Sequence, residues 1–345
     1  MKVLITGGAG FIGTNLADHL LTEGHDVLIL DNLSRTGVSH NLDWLQYKHG
    51  QAHLQVMIED IRDADAVYDA VAEVDQVYHL AAQVAVTTSR ANPIEDFDIN
   101  VKGTLNLLEA LRAMQHPPSL VFTSTSKVYG VLDGELLEQR TRYMPADPEI
   151  AFHGYNEAHG LDFHSPYGCS KGAADQYVLD YARTYGLPAM VFRLSTTYGA
   201  HQFGTADQGW VAHCLINALR GIPITICGDG KQVRDALYID DLLAALRIGH
   251  LCIDRLSGQA FNLGGGIGNA TSLIELLNLI TDITGKVPEL QFSGWRPDDP
   301  RYFVSDTRKF ALETGWKPLT NLPTGLQHLY HWLIAERGLV ERIDL

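Results

Sequence analysis

The sequence predicts an α/β fold: a doubly wound parallel sheet joined to a smaller mixed α/β lobe. Three observations carry that expectation. Apolar runs of strand length alternate with helical patterns along the first part of the chain. The first of these runs ends in a glycine-rich turn that opens directly into a helical pattern. After residue 195 the rhythm breaks into helices separated by short strands, as a lobe added to the sheet would.

Lys2-Val-Leu-Ile-Thr6 is the first predicted strand, followed at once by Gly7-Gly8-Ala9-Gly10-Phe11-Ile12-Gly13 and a helical pattern through Leu16, Leu20 and Leu21. Gly7 permits the turn, Gly10 admits a pyrophosphate to the backbone at the helix N-terminus, and Gly13 lets the helix pack on the strand. This is a Rossmann-type fingerprint, and Gly7, Gly10, Phe11, Ile12 and Gly13 are assigned to a dinucleotide. The second strand, Asp26 to Leu30, ends in Asp31, at the spacing where a carboxylate accepts hydrogen bonds from the adenosine ribose. A carboxylate there repels a 2′-phosphate, so NAD is the expected cofactor, with Asn32 and Ser34 beside it; Arg35 keeps NADP open as the alternative. Asp60 and Ile61 follow the third strand, Leu54 to Ile58, and are placed against the adenine. The fourth, Val74 to Leu80, runs into Leu80, Ala81, Ala82 and Gln83, where small residues let the dinucleotide approach the backbone, or Leu80 and the alanines simply pack. Asn100, in the helical pattern from Pro93 to Met114, reads as a cofactor contact or as a polar residue satisfying nearby backbone.

Ser119 to Phe122 and Ala189 to Phe192 complete the predicted strands of the sheet, with further helices near Ala64 to Ala72 and Tyr167 to Tyr185. Residues 1–195 are therefore expected to form the NAD-binding domain, with 236–262 a candidate return to it. Residues 196–345 are mainly the substrate lobe, through Gln208 to Arg220, Ile224 to Ile226, Asp240 to Leu251, Phe261 to Leu263 and Ser272 to Thr284. The polar, irregular stretch from Leu132 to Leu161 is long for a structureless loop, and such loops are usually functional.

The chemistry is carried by Ser165-Pro166-Tyr167-Gly168-Cys169-Ser170-Lys171, where a helix would start. Positions i and i+4 share a helix face, so the spacing predicts the Lys171 ammonium near the Tyr167 phenol, favouring its anion. A free tyrosine, with a pKa near ~10, is a poor base at neutral pH. The lysine and the positive charge of an oxidised nicotinamide would bring it towards the working range for proton transfer.

Composition agrees with an enzyme of this kind. The 345 residues are 46% hydrophobic, enough for one large core and a second lobe. A net charge of −15 argues against nucleic acid as a partner. No window approaches the ~20 apolar residues of a membrane span, and no apolar leader follows Lys2, so no membrane partner and a cytoplasmic location are expected. Cys169, Cys214, Cys227 and Cys252 lack paired spacing, which predicts reduced, mostly buried thiols and no metal site.

Gly7 to Gly13, Asp31-Asn32-Leu33-Ser34-Arg35, Asp60-Ile61, His79 to Gln83, Asn100, Ser124-Thr125, Tyr167-x-x-x-Lys171 and Arg234-Asp235 together resemble the extended short-chain dehydrogenase/reductase family of nucleotide-sugar epimerases and dehydratases. The resemblance runs over nearly the whole chain. The block Leu161 to Tyr177, Thr141-Arg142-Tyr143, Asp207-Gln208-Gly209-Trp210 and Gly230 to Asp235 are similar to its CDP-paratose 2-epimerase (CDP-tyvelose epimerase) branch, while Leu194-Ser195-Thr196-Thr197 and Ala200-His201 depart from that branch's sugar pocket.

The resemblance implies that Tyr167 takes a proton from a sugar hydroxyl while hydride leaves the same carbon for NAD, with Thr125, at the end of the fifth strand, aligning that hydroxyl and Lys171 in support. The ketone then accepts hydride on its opposite face, so the sugar must turn while its nucleotide stays held. Arg234, Arg296 and Arg301 are candidates for the pyrophosphate, because guanidinium matches phosphate oxygens in a bidentate way. Thr196, Gln208 and Trp210 are assigned to the substrate, with Trp210 and Phe203 either near the nucleotide or in the core. Related 4,6-dehydratases carry an Asp-Glu pair directly after this threonine; Ser126-Lys127 here leaves elimination without a carboxylate acid and base. The leading expectation is a 2-epimerase of a CDP-hexose. A UDP-sugar 4-epimerase comes second, and a non-catalytic NAD-binding regulator third. A homodimer or homotetramer is the family-level expectation for assembly.

Overall fold

The computed structural model describes residues 1–132, 134–297 and 299–336. The end of the sequence-assigned lobe, 337–345, and position 133 in the long polar stretch lie outside the described residues. In chain order the strands are β1 (Lys2–Thr6), β2 (Asp26–Leu30), β3 (Leu54–Met57), β4 (Gln76–His79), β5 (Ser119–Thr125), β6 (Leu136–Glu138), β7 (Tyr143–Pro145), β8 (Ala189–Leu194), β9 (Thr196–Tyr198), β10 (Ile224–Cys227), β11 (Val233–Tyr238), β12 (Ala260–Leu263), β13 (Ala270–Ser272), β14 (Leu290–Ser293) and β15 (Tyr302–Phe303). The helices are α1 (Phe11–Thr22), α2 (Val38–His49), α3 (Ala64–Val71), α4 (Val86–Ala91), α5 (Pro93–Phe97), α6 (Gly103–Arg112), α7 (Pro148–His153), α8 (Ser165–Tyr185), α9 (Trp210–Arg220), α10 (Ile239–Leu251), α11 (Ile253–Leu256), α12 (Leu273–Thr284), α13 (Arg308–Thr314) and α14 (Leu322–Ala335).

The described chain divides into two compact units. The first comprises residues 1–128, 165–193 and 243–261. Its sheet has seven strands in the order β12-β8-β5-β4-β1-β2-β3, and the pairs from β5 to β3 are parallel. Chain order reverses between β1 and β4, the switch point beside which such sheets bind ligands. Val3, Leu4 and Ile5 of β1 are fully buried, and full burial of each contributes about 1.5–3 kcal/mol. The single helix expected from Pro93 to Met114 is broken: α5 passes into a π-helical turn, Asp98–Lys102, before α6 begins. Asn100 lies in that turn, a kind of irregularity concentrated at functional sites.

The second unit comprises residues 129–164, 194–242 and 262 onward. Strands β9, β13 and β15 all pair with β11, β10 pairs with β14, and β6 with β7 forms a hairpin. The sequence reading assigned 129–164 to the first domain; these residues instead cluster with the second unit. The reason is backbone pairing with partners far along the chain. Tyr143 N–H donates to Lys231 O at 3.0 Å, Tyr155 N–H to Val304 O at 2.7 Å, and Asp306 N–H returns to Tyr155 O at 2.9 Å. The long polar stretch thus carries a hairpin and α7. Residues 243–261, within the segment named as a candidate return, belong to the first unit. All four cysteines are free, but only Cys214 is buried and Cys169 is exposed, so the expectation of mostly buried thiols is corrected. No described helix is long and apolar enough to cross a membrane.

Candidate active site

The glycine turn is a cradle in which side chains do not fit. Gly7 has φ +71°, and a Cβ there would stand 2.7 Å from Ala81 N; a Cβ on Gly13 would stand 2.4 Å from Gly7 O. Phe11, Ile12 and Gly13 form the first turn of α1, which Gly10 precedes without a side-chain cap and without an acid in that turn. Its N–H groups remain available to an anion. The Asp31 carboxylate accepts from Ala9 N–H (3.0 Å) and Leu33 N–H (2.9 Å), which fixes it at the end of β2 with lone pairs to spare. Burial pushes this carboxyl up, and those N–H groups draw it back. An open helix end over a glycine cradle, with a fixed carboxylate after β2, fits a dinucleotide.

Other residues assigned to the cofactor are committed to the protein. Arg62 grips Asp60 through both carboxylate oxygens at 2.8 Å, and Asn32 donates to it at 2.8 Å. These bonds, the Arg62 hydrogen bond first, hold Asp60 down to about 2. Ile61 is buried in the core. The Asp60 carboxylate is thus neutralised by its neighbour and the Ile61 side chain turned inward. Asn32 also accepts from Ser34 N–H at 3.1 Å, closing the turn that carries Arg35. Leu80 N–H donates to Thr6 O and Ala81 N–H to the Thr6 hydroxyl, so the segment through Ala82 starts against β1. Asn100 accepts from Gln83 N–H (2.9 Å) and donates to Gln83 O (3.0 Å). Its amide holds the loop after β4, the backbone-satisfying role of the two read from sequence.

Helix α8 starts at Ser165, which has φ +64°, with its hydroxyl accepting from Gly168 N–H at 3.2 Å. That bond and the one from Tyr167 N–H to the Ser89 hydroxyl (3.2 Å) fix the first turn. Tyr167, Lys171 and Thr125, at the end of β5, are all buried, and Thr125 favours the anion of the Tyr167 phenol. Lys171 sits on the same helix but turns elsewhere: its Nζ donates to Thr123 O at 2.7 Å and lies 4.3 Å from the centre of the Phe122 ring. The shared face predicted an ammonium that lowers the phenol. Instead burial dominates both groups, raising Tyr167 to about 12 and lowering Lys171 to about 7. Thr125 and, more weakly, Arg35 favour the phenolate, while the negative charge of Asp96 opposes it. Arg35 thereby faces the tyrosine rather than acting only beside Asp31.

In the second unit the three candidate arginines all have protein partners. Arg234, in β11, donates to Asp299 (2.9 Å) and to the carbonyls of Val233 and Pro300. Arg296 donates to Ala206 O at 2.6 Å, with Asp207 at 4.0 Å. Arg301 lies over Tyr143 and Trp295, its guanidinium carbon 5.3 and 5.0 Å from their ring centres. Trp210 Nε1 donates to the Thr196 hydroxyl at 3.2 Å, joining two residues assigned to substrate. Gln208 closes a tight turn with Thr205 before α9. Phe203 is buried against Trp332, the packing alternative of its two readings.

Residues 3–264 match the family described as the NAD dependent epimerase/dehydratase family. The chain belongs to that family. NAD is accordingly its cofactor, in agreement with the carboxylate that ends β2. It is 44% identical over 342 residues to CDP-paratose 2-epimerase of Salmonella typhi, covering 96% of this chain and 99% of that relative. Among solved structures it is similar to UDP-glucose 4-epimerase of Thermotoga maritima with UDP-glucose, at TM-score 0.84 and 29% identity over 98% and 100% of the two chains. It is also similar to UDP-glucuronic acid 4-epimerase of Bacillus cereus with UDP-glucuronic acid and NAD, at TM-score 0.83 and 28% identity over 97% and 99%.

Ser89 and Asp96, which bond the start of α8 of this family member, and Ser170 within it were given no role in the sequence reading. The signal for Asp96 was present, since Asp96 and Asn100 are four apart in a helical pattern and bring two polar groups to one face. Nothing local marks Ser89, whose partner lies far along the chain.

Proposed function

We propose that the chain is an epimerase that inverts C2 of a CDP-linked hexose of the paratose/tyvelose type by transient oxidation. The observation that carries this reading is a buried Tyr167 with the buried Thr125 favouring its anion, and Ser126-Lys127 rather than carboxylates next in sequence. That arrangement suits removal of a hydroxyl proton and supplies nothing for elimination. Identity of 44% to a CDP-paratose 2-epimerase favours CDP and C2. Bound NAD supplies the reversible hydride acceptor and a positive charge near the phenol.

Tyr167 Oη takes the hydroxyl proton and later returns it; the Thr125 hydroxyl orients the sugar oxygen. Burial raises the phenol and lowers the ammonium, and the Asp96 charge acts on both groups. Lys171, its Nζ anchored on Thr123 O, stands one helical turn beyond Tyr167. Gly7, Gly10 and Gly13 with α1 hold the pyrophosphate of the cofactor, and Asp31 its ribose. The ketone has to be reduced from its other face, so the nucleotide is gripped and the sugar left free to turn. Arg234 is the candidate for that grip.

The test is product NMR after incubation with CDP-paratose, UDP-glucose, UDP-glucuronic acid and a GDP-hexose. Inversion at C2 of the CDP-sugar alone is expected. Inversion at C4 of a UDP-sugar would establish the second reading, which likeness to the two 4-epimerase structures favours. No epimer from any of them would end both. We further propose a homodimer or homotetramer, to be read by light scattering, and a cytoplasmic location.

A further inference from the structure

Asp96 is 1% exposed, and the ion pairs of the described residues include none to its carboxylate. Neutral donors hold it instead: Ser170 Oγ at 2.5 Å on one oxygen, and Gln83 Nε2 at 2.8 Å with Asn100 Nδ2 at 3.4 Å on the other. Each donor belongs to an element of the redox site. Ser170 stands on α8 between Tyr167 and Lys171, and its hydroxyl also accepts from Asn100 Nδ2 at 2.9 Å. Gln83 belongs to the loop after β4, where its amide closes on Ala85 by donating to Ala85 O (2.9 Å) and accepting from Ala85 N–H (2.5 Å). Burying a carboxylate without a paired cation is expensive, and a purely structural clasp could be made from neutral amides.

We infer that Asp96 is a positioning residue of the redox site, clasping α8 to the loop after β4 and keeping a negative charge beside Tyr167 and Lys171. The inference rests on the role proposed above for those two residues. Its charge favours the ammonium of Lys171 and opposes the phenolate of Tyr167, so it raises the pH at which the pair gives up its first proton, whichever group releases it. Facing the same pair are Asp175 on α8, itself bonded to Arg193 of β8, His79 on β4, which burial holds neutral, Thr125 on β5, and Arg35 from the turn after β2. Other charged groups on elements packed against α8 are Arg90 on α4, Glu95 on α5, Asp98 and Lys102 in the π turn, and Glu109 and Arg112 on α6.

The experiment compares the parent NAD-loaded enzyme with Asp96→Asn. Reduction of the bound nicotinamide on mixing with CDP-paratose is followed by absorbance against pH, and amide hydrogen exchange is followed at Gln83 and Ala85. The variant is expected to move the acid limb to lower pH by about one unit, to slow reduction at least about tenfold, and to speed exchange at both amides. An acid limb that stays in place overturns the inference, whatever happens to the rate, because loss of packing alone does not move it. If Asp96→Asn yields no folded protein, Ser170→Ala decides: it removes the strongest donor and keeps the charge. Faster exchange at Gln83 in Ser170→Ala supports the clasp, and parent exchange together with parent rate overturns it. Should the parent enzyme epimerise no nucleotide sugar, the function proposed above fails, and exchange at Gln83 and Ala85 still decides the clasp without substrate.

Discussion

The two units treat their polar residues differently. In the first, a dinucleotide cradle is preformed: the glycines leave backbone exposed, Asp31 is fixed by two N–H groups, and Tyr167 and Thr125 are both buried. In the second, the cationic side chains are engaged by the protein itself, Arg234 by Asp299, Arg296 by a carbonyl and Arg301 by two aromatic faces. A resident cofactor rewards a rigid site. In the proposed grip on substrate, Arg234 would exchange one set of partners for another, and the difference between the two sets would remain as affinity.

The sharpest way to break this contrast is at the tyrosine. Tyr167→Phe is expected to lower turnover by about 10²–10⁴-fold, the usual contribution of a positioned acid/base, while NAD binding measured by calorimetry stays within about twofold. Loss of NAD along with activity would make Tyr167 a strut of the cradle. Next in size is Arg234→Ala. Losing a charge-assisted grip worth about 1.5–3 kcal/mol raises KM for the nucleotide sugar roughly tenfold or more, with a smaller change in kcat. If stability fell and KM did not move, the pairing with Asp299 would be the whole role of this arginine.

Much of the first unit was legible because its signals are local. A strand, a glycine turn and a helix lie within a few residues of one another, and the acid ending β2 follows at a spacing set by one helix and one strand. Tyr167 could be named from its spacing to Lys171 where a helix would start, and Thr125 from the family resemblance. The direction of the pKa shifts was not legible, since spacing places Lys171 on the face of Tyr167 but says nothing of the carbonyl of Thr123, or of how deeply both groups are buried. The assignment of 129–164 failed for the same reason. Its hairpin and α7 are held by Lys231, Val304 and Asp306, and a local pattern carries no record of such partners.

A smaller effect tests the ribose carboxylate. Asp31→Ala should weaken NAD by about tenfold and NADP less, since removing the carboxylate deletes hydrogen bonds to the 2′-hydroxyl and relieves repulsion of a 2′-phosphate at once. Calorimetric titration of both dinucleotides reads the ratio. A parent protein that preferred NADP would transfer the role at this strand end to Arg35.

The smallest functional effect is expected at Asp60, where the cradle passes into ordinary scaffold. Its carboxyl is held near 2, chiefly by Arg62, below its ordinary value of 3.8. A carboxyl depressed by folding stabilises the protein above its unfolded value and loses that contribution as pH falls through the folded one. Asp60→Asn should therefore lower stability at pH 7 by about 1–2 kcal/mol, the partly exposed pair being screened below the full shift. The gap to the parent should close as urea titrations are carried from pH 4 towards 2. NAD affinity should change by less than about twofold, because Arg62 and Asn32 occupy the carboxylate. A stability gap that persisted undiminished to the acid end would mean that Asn fails for its shape rather than its charge, and a tenfold loss of NAD would return Asp60 to the adenine site.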